Sequence, residues 1–428
     1  MRDLREYSEE LKSGRYEERI QEVYVDKSLV TQKTERFLRA LEKFEALFGR
    51  KPVEIFSAPG RSEVSGNHTD HQKGHVLAAS INLDAIAVVA PTEDMVVHLV
   101  SDGYPLLEVE LDQTEVRDEE RETTAALVRG VAAGFRERGF SVGGFEAYVT
   151  SDVLIGAGLS SSAAFESLIG TIFSGIYNEL GVSNVEIAKI GQYAENVYFG
   201  KPCGLMDQMA CSVGGLVYID FKDVQNPVIE QIPADFETHA YSLCIVDTKG
   251  SHANLTADYA AIPAEMKAVA AYFGKECLRE VPEEKFIENL ASLREQTNDR
   301  AVLRGMHFYG EQKRVSSAVN ALKRDDFGEF LRKIRESGDS SSKLLQNSYS
   351  PANPLVQNIT VALALSEYLL KDQGVCRIHG GGFAGTIQAF VKNSAVAEYK
   401  EAMEKVFGAD SCHVLKVRPF GGIRMFEE

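Results

Sequence analysis

The chain has 428 residues, 44% of them apolar and 25% charged, the balance of a folded globular protein with room for two or three domains. Its formal net charge of −17 argues against nucleic acid as the main partner. No run of about 18 apolar residues occurs, so no membrane-spanning helix is expected. The opening stretch MRDLREYSEELKSGRYEERIQEVY is charged throughout and lacks the apolar centre of a signal peptide, so a cytoplasmic location is expected. Cys203, Cys211, Cys244, Cys277, Cys376 and Cys412 form no C-x-x-C pair, so reduced and mostly buried thiols are expected.

In chain order, residues 1 to about 50 read as helical, with Phe37, Leu38, Leu41, Phe44 and Phe48 at helical spacing. EIFSAPG reads as a strand, and GHVLAASINLDAIAVVAP as a strand pair. Further strands are expected over 95–111, a helix over 123–138 and a strand in GFEAYVTSDVL. The strongest helical pattern is 161–180. Ala164, Leu168, Ile172, Ile176 and Leu180 form one apolar stripe, with Glu166, Gly170, Ser174 and Asn178 on the other side. Helices follow over about 184–199 and 205–213, then a strand in GGLVYIDF. The pattern restarts with a strand in YSLCIVDT and a helical region to about 348. PLVQNITVALALSEYLL reads as a helix, VCRIHGGGFAGTIQAFV as two strands around a glycine turn, 394–407 as a helix and HVLKVRPF as a closing strand. The expected organisation is two α/β-type domains, 1–235 and 236–428.

Four segments carry chemistry. Gly156-Ala157-Gly158-Leu159-Ser160-Ser161-Ser162 lies between a strand and the strongest helix. It is either a serine-capped helix after a glycine turn or a cradle for phosphate at a helix N-terminus. It is not a G-x-x-x-x-G-K-[ST] loop. Ala58-Pro59-Gly60-Arg61 through Asn67-His68-Thr69-Asp70-His71 packs polar groups suited to sugar hydroxyls. A surface turn, or a metal site from His68, His71 and His75, are its alternatives. Gly200-Lys201-Pro202-Cys203-Gly204-Leu205-Met206-Asp207 puts a carboxylate near a helix start, as a dipole-favoured acid or a proton acceptor. Gly380-Gly381-Gly382-Phe383-Ala384-Gly385 is a tight turn or a second backbone cradle.

In this order, the segments resemble the motifs of the GHMP kinases (galactokinase, homoserine, mevalonate and phosphomevalonate kinases). G-R-x-x-x-x-G-x-H-T-D, G-x-V-L and C-G-x-M-D-Q are most similar to the galactokinase family. The resemblance spans residues 55 to 390. It implies a two-domain α+β fold, with an N-terminal ribosomal protein S5 domain 2-like domain, a C-terminal ferredoxin-like domain and the active site in the cleft between them. It also implies an ATP- and Mg2+-dependent kinase acting on the C1 hydroxyl of galactose or a close relative, as a monomer or homodimer. By the same resemblance Arg61 and Asp207 are the catalytic pair. Gly156, Gly158, Ser160, Ser161 and Ser162 hold phosphate, Ser162 and Glu195 hold magnesium, and Asn67, His68, Asp70, Gly204 and Tyr259 contact the sugar. A homologue that only senses sugar is disfavoured, because Ser162, Ala163, Asp207, Arg61 and Glu195 are all present.

The departures concern specificity. Asn67 stands where the family has a glutamate that reaches the sugar's 6-hydroxyl. Asparagine removes a negative charge and adds a donor, so a sugar with a carboxylate at C6, such as galacturonate, is no longer repelled. Arabinose, which lacks C6, also fits this reading. His71 and Lys73 replace the family's tyrosine and glycine; Lys73 reads as a solvated surface lysine, with positive charge for an acidic sugar as its alternative. The chain has no tryptophan, so the 123–130 stretch must pack adenine by apolar contact or leave it to other residues.

Overall fold

The computed structural model describes residues 1–154, 158–234, 236–251 and 255–426. A short strand, Arg2–Asp3 (β1), precedes three helices, Leu4–Lys12 (α1), Glu17–Tyr24 (α2) and Val30–Phe48 (α3). Phe37, Leu41 and Phe44 are buried on one face of α3, as the helical spacing requires. Two long strands follow, Pro52–Ser65 (β2) and His75–Pro91 (β3). The expected strand pair in 74–91 is thus one bent strand. Its pairing with β2 shifts register between Pro59 and Arg61, so the chain bulges there and does not turn. Asn82 and Asp84 are buried and bonded to other elements.

Val96–Ser101 (β4), Leu106–Glu110 (β5), Thr124–Glu137 (α4) and Phe145–Ser151 (β6) come next. Ser161–Tyr177 (α5) and Asn184–Tyr193 (α6) pack so closely that a Cβ on Gly170 would lie 2.6 Å from Ile187. The face of α5 read as polar is therefore also buried, Glu166 and Ser174 included. The helix expected to reach 199 changes to a π-helical turn over Ala194–Phe199. Met206–Val213 (α7), Leu216–Asp220 (β7) and Val228–Ile232 (β8) complete this part.

The second part begins at Tyr241–Asp247 (β9). Its helical region is five helices: Thr256–Tyr272 (α8), Glu283–Glu288 (α9), Leu290–Gln296 (α10), Asp299–Lys323 (α11) and Phe327–Ser340 (α12). Asn358–Leu370 (α13), Gly374–Ile378 (β10), Thr386–Lys392 (β11), Val396–Phe407 (α14), Cys412–Leu415 (β12) and Ile423–Arg424 (β13) follow.

Among the described residues there are two sheets. The nine-stranded one runs β1-β2-β3-β6-β4-β5, with β13 on β2, β7 on β3 and β8 on β7. The four-stranded one runs β10-β11-β9-β12. This is the mixed, two-domain α+β arrangement. Helices α4 to α6 cover one face of the larger sheet, and α1 to α3 cover the other. A third apolar cluster joins Leu77, Ile81 and Leu159 to Leu243, Phe330 and Phe390, so the two parts share a core. No helix among the described residues is long and apolar enough to cross a membrane. All six cysteines are free, and only Cys203 is partly exposed.

The expected closing strand pairs regularly only over Cys412–Leu415, and the chain then returns to the first sheet. The cause is Arg418, fully buried and bonded to Asp84 at 3.0 Å. Asp84 also accepts from Tyr24 at 2.7 Å and Arg36 at 2.6 Å, so one carboxylate ties α2, α3, β3 and the C-terminal segment. Burial alone would raise the Asp84 carboxyl, but Arg36, Lys33 and Arg418 hold it well below the usual carboxylate range. Its contribution to stability is therefore complete above its unfolded value of about 4 and is lost as pH falls below it. Urea denaturation should show stability declining below about pH 4. Asp84→Ala should cost about 3–5 kcal/mol in the same assay, because Arg418 would stay buried without its carboxylate.

Candidate active site

Near the end of β2, Gly60 lies under the loop that leads into α5; a Cβ there would be 2.8 Å from the Leu159 carbonyl. The next residue, Arg61, donates its backbone N–H to that carbonyl at 3.1 Å. Its side chain grips Asp207, in the first turn of α7, with a two-pronged fork: Nε to Oδ1 at 2.8 Å and Nη2 to Oδ2 at 2.7 Å. Nη1 donates to the Gly158 carbonyl. Arg61 is 10% exposed and Asp207 32%, so the pair is anchored in the protein and open on the acid's side. Burial pushes the Asp207 carboxyl up, yet Arg61 and the Ser160 hydroxyl outweigh it and hold the group below the ordinary range. Asp207 is ionised at neutral pH.

The loop into α5 is bent for this contact. Gly158 has φ +71° and Ser160 φ +57°, a conformation that costs a non-glycine residue about 1–3 kcal/mol. The twist turns the Ser160 hydroxyl to Asp207 in place of a helix cap, and the α5 N-terminus has no side-chain cap. Ser161 and Ser162 form its first turn, and the Ser162 hydroxyl faces Glu195 Oε1 at 3.5 Å. Gly156 lies outside the described residues. Glu195 is carried on the π-helical turn, is 4% exposed, and has Lys201 at 3.7 Å. Gln208 donates to Glu195 Oε2 at 2.7 Å and Glu166 Oε2 at 3.0 Å, bridging two buried carboxyls. Burial, then the facing Glu195, pushes the Glu166 carboxyl well above its ordinary range. Ser162 and Glu195 offer two hard oxygen ligands, which suits magnesium, an ion that takes its other ligands from phosphate and water. Among the described residues no group of three or more His, Cys, Asp or Glu could hold a metal, so the alternative of His68, His71 and His75 fails.

The glycine run 380–385 closes the opposite wall. Gly380, Gly382, Phe383 and Gly385 all have positive φ, which turns the backbone tightly between β10 and β11. Tyr259 donates to the Gly382 carbonyl at 2.9 Å. His379 bonds Thr386 at 2.9 Å and Ser62 at 3.1 Å, and burial with the charges of Arg61 and Arg377 keeps it neutral, at about 3. The cleft between these walls measures about 410 Å³ and is lined by Arg61, Ser162, Glu195, Asp207, Tyr259 and Gly381 among others. A larger cleft of about 870 Å³ lies between α2 and the 416–419 segment. Convergence of ionised and strained groups, not volume, marks the smaller one as the site.

His68 is tied to the wall of this cleft through Gly381, and Asp70 lies beside Gly204. His68 has φ +56° and donates to the Gly381 carbonyl at 3.0 Å. Asp70 Oδ2 faces Gly204, where a Cβ would approach it to 2.7 Å. Asn67 is not where the sequence reading put it. Its side chain is fully buried, donates to Glu63 at 3.0 Å and the Gly380 carbonyl at 2.7 Å, and accepts from Asn347 at 2.9 Å. The amide is occupied by protein on both ends and joins the 67–71 loop to the glycine run. Lys73 is a partly exposed lysine paired with Glu280 at 2.9 Å, as a surface lysine would be. Sequence reading missed Gln208, Glu166, His379 and Thr386. His379 directly precedes the glycine run, which was the available signal; the others read as ordinary helix and strand residues. Asn67→Asp would set a carboxylate against Glu63 and the Gly380 carbonyl. It should lower stability in urea denaturation by about 1–3 kcal/mol, the cost of a buried polar group losing its partner.

Residues 42–91 match the galactokinase galactose-binding signature, and residues 126–215 match the N-terminal domain of GHMP kinases. A galactokinase of Streptomyces coelicolor is 30% identical over 389 residues, spanning 90% of this chain and 97% of that one. A galactokinase of Glaesserella parasuis is 32% identical over 371 residues, spanning 85% and 91%. The structure of Lactococcus lactis galactokinase complexed with galactose superposes with a TM-score of 0.74 at 25% identity, covering 90% of this chain and 98% of that one. Methanococcus jannaschii mevalonate kinase shares the fold, with a TM-score of 0.61 at 16% identity over 86% of this chain and 98% of that one. With its paired Arg61 and Asp207 at the head of α5, the chain is a sugar kinase and belongs to the galactokinase family of the GHMP kinases.

Proposed function

We propose that the chain transfers the terminal phosphoryl group of ATP to the C1 hydroxyl of galactose or a close relative. The observation that carries this reading is the Arg61–Asp207 fork, with Ser160 on the same carboxylate, at the N-terminus of α5 and opposite the glycine run. An ionised acid beside a helix N-terminus suits a hydroxyl nucleophile meeting a phosphate.

In this mechanism the triphosphate lies against Gly158, Ser160, Ser161 and Ser162, where the first N–H groups of α5 favour negative charge. Asp207 accepts a hydrogen bond from the C1 hydroxyl and receives its proton as the new oxygen–phosphorus bond forms and the bond to ADP breaks. Phosphoryl transfer is loose, so the acid acts chiefly by aiming the oxygen. Arg61 keeps Asp207 ionised and oriented. Magnesium held by Ser162 and Glu195 would neutralise phosphate charge. Gln208, donating to both Glu195 and Glu166, orients Glu195 for that role. His68, Asp70, Gly204 and Tyr259 contact the sugar.

For adenine, support comes from an apolar depression of about 570 Å³ walled by Leu99, Tyr104, Leu106, Leu107, Thr124 and Ala125. Tyr104 is 66% exposed there, although its ring is large and apolar. It stands in for the missing tryptophan as a stacking face. We take the protein to act in the cytoplasm, as a monomer or homodimer, with its domains meeting near residue 235.

The test is ATP-dependent phosphorylation of galactose, galacturonate, arabinose, N-acetylgalactosamine and glucose by purified protein with magnesium. A sugar 1-phosphate should form, and Asp207→Asn should lower kcat at least about 100-fold while the fold is kept. Sugar binding with no ATP turnover on any of the five would replace this reading with a sugar sensor. Tyr104→Ala should raise the KM for ATP about threefold to tenfold and leave the KM for sugar in place.

A further inference from the structure

The 67–71 loop carries one polar atom that the protein leaves unsatisfied. His71 Nε2 is enclosed and has no hydrogen-bond partner among the described residues. The state of that nitrogen follows from a chain of bonds. The Leu278 backbone N–H donates to Gln72 Oε1 at 2.9 Å, which fixes the orientation of the Gln72 amide. Gln72 Nε2 must then be the donor to His71 Nδ1, at 3.1 Å. An imidazole that accepts at Nδ1 carries its proton at Nε2. The orphan is therefore an N–H donor, and its partner has to be an acceptor.

The strongest electrostatic neighbours of His71 include no acid. They are His68, Lys267 and His307, all basic. The His68 ring centroid lies 5.8 Å away. The nearest acid in sequence, Asp70, faces Gly204 and Asp207 on the other side of the loop. Lys267, on α8, is exposed. Asn67 cannot supply the missing contact, because its amide is already taken up by Glu63, Gly380 and Asn347.

We propose that His71 Nε2 donates to a carboxylate at C6 of the sugar, with Lys267 as the counter-charge, so that the substrate is a hexuronate of the galactose series. This rests on the sugar 1-kinase reading above. With the C1 hydroxyl at Asp207, and His68 and Asp70 along the ring, the next residue of the loop meets the far end of the sugar. A carboxylate there gives a charge-assisted bond, stronger than a hydroxyl offers. A pentose leaves the donor unpaired, at a cost.

The test is calorimetric titration of the full-length protein with galacturonate, galactose and arabinose. Galacturonate should bind at least about tenfold tighter than galactose. His71→Phe should reduce that ratio about tenfold, and Lys267→Ala should reduce it less, with the Lys267 effect fading at high salt. Galactose or arabinose binding as tightly as galacturonate overturns the proposal. So does a ratio unchanged by both substitutions. If His71→Phe does not melt cooperatively, the wild-type ratio and the exposed Lys267→Ala decide. Tight galacturonate binding without phosphorylation would sink the kinase reading and leave this one standing; phosphorylation of galactose without galacturonate preference does the reverse.

Discussion

A buried guanidinium and a partly exposed carboxylate paired at the junction of β2 and α7 organise this molecule. Removing Arg61 from water is costly, and only a well-aimed carboxylate with further bonds repays it. The fork to Asp207 and the bond to the Gly158 carbonyl provide that alignment. Three segments distant in sequence must then meet within hydrogen-bond reach. The left-handed backbone at Gly158 and Ser160 follows, because no regular helix start would bring the serine hydroxyl to the same acid. Strain in the loop is exchanged for an ionised, oriented carboxylate at a helix N-terminus.

A second set of buried charges decides how the two parts of the chain meet. Glu311 on α11 accepts from the Ser65 hydroxyl and the Gly66 backbone at 2.9 Å each, and Arg314 pairs with it at 2.7 Å. Burial would raise that carboxyl, but Arg314, His307 and Arg377 keep it well below its ordinary range. Arg377 reaches Glu63 at 2.9 Å, and His307 donates to the Asn67 carbonyl at 2.9 Å. The end of β2 and the loop after it are thus held by α11 and β10. The sugar loop and the glycine run are consequently one unit. A substitution in either is felt in the other through Asn67, Asn347 and His68, although these residues are far apart in the chain.

Most of the architecture was legible because apolar spacing reports burial directly. The period of α3, the helix after the serine run and the apolar runs of β9 and β11 all predicted the elements found. Misreadings arose where tertiary bonds overrode local signals. The stretch 74–91 read as a strand pair, yet the side chains of Asn82 and Asp84 are consumed by α2, α3 and Arg418, and β3 runs through. The polar stripe of α5 looks like a solvent face, yet Gly170 lets α6 close over it.

The order and composition of the four motifs pointed, by themselves, to the family, the fold and Arg61, Asp207 and Ser162 as candidates, and the family resemblance added Glu195. Short motifs succeed because backbone cradles and paired charges need particular residue types at particular spacings. Only the tertiary structure decided which polar side chains are consumed by internal hydrogen bonds. Asn67 read as a sugar contact and is an internal tie, while His71, which read as a variation, holds the unsatisfied donor. Hydrogen bonds between residues hundreds of positions apart settle that question, and no local pattern in the chain encodes them.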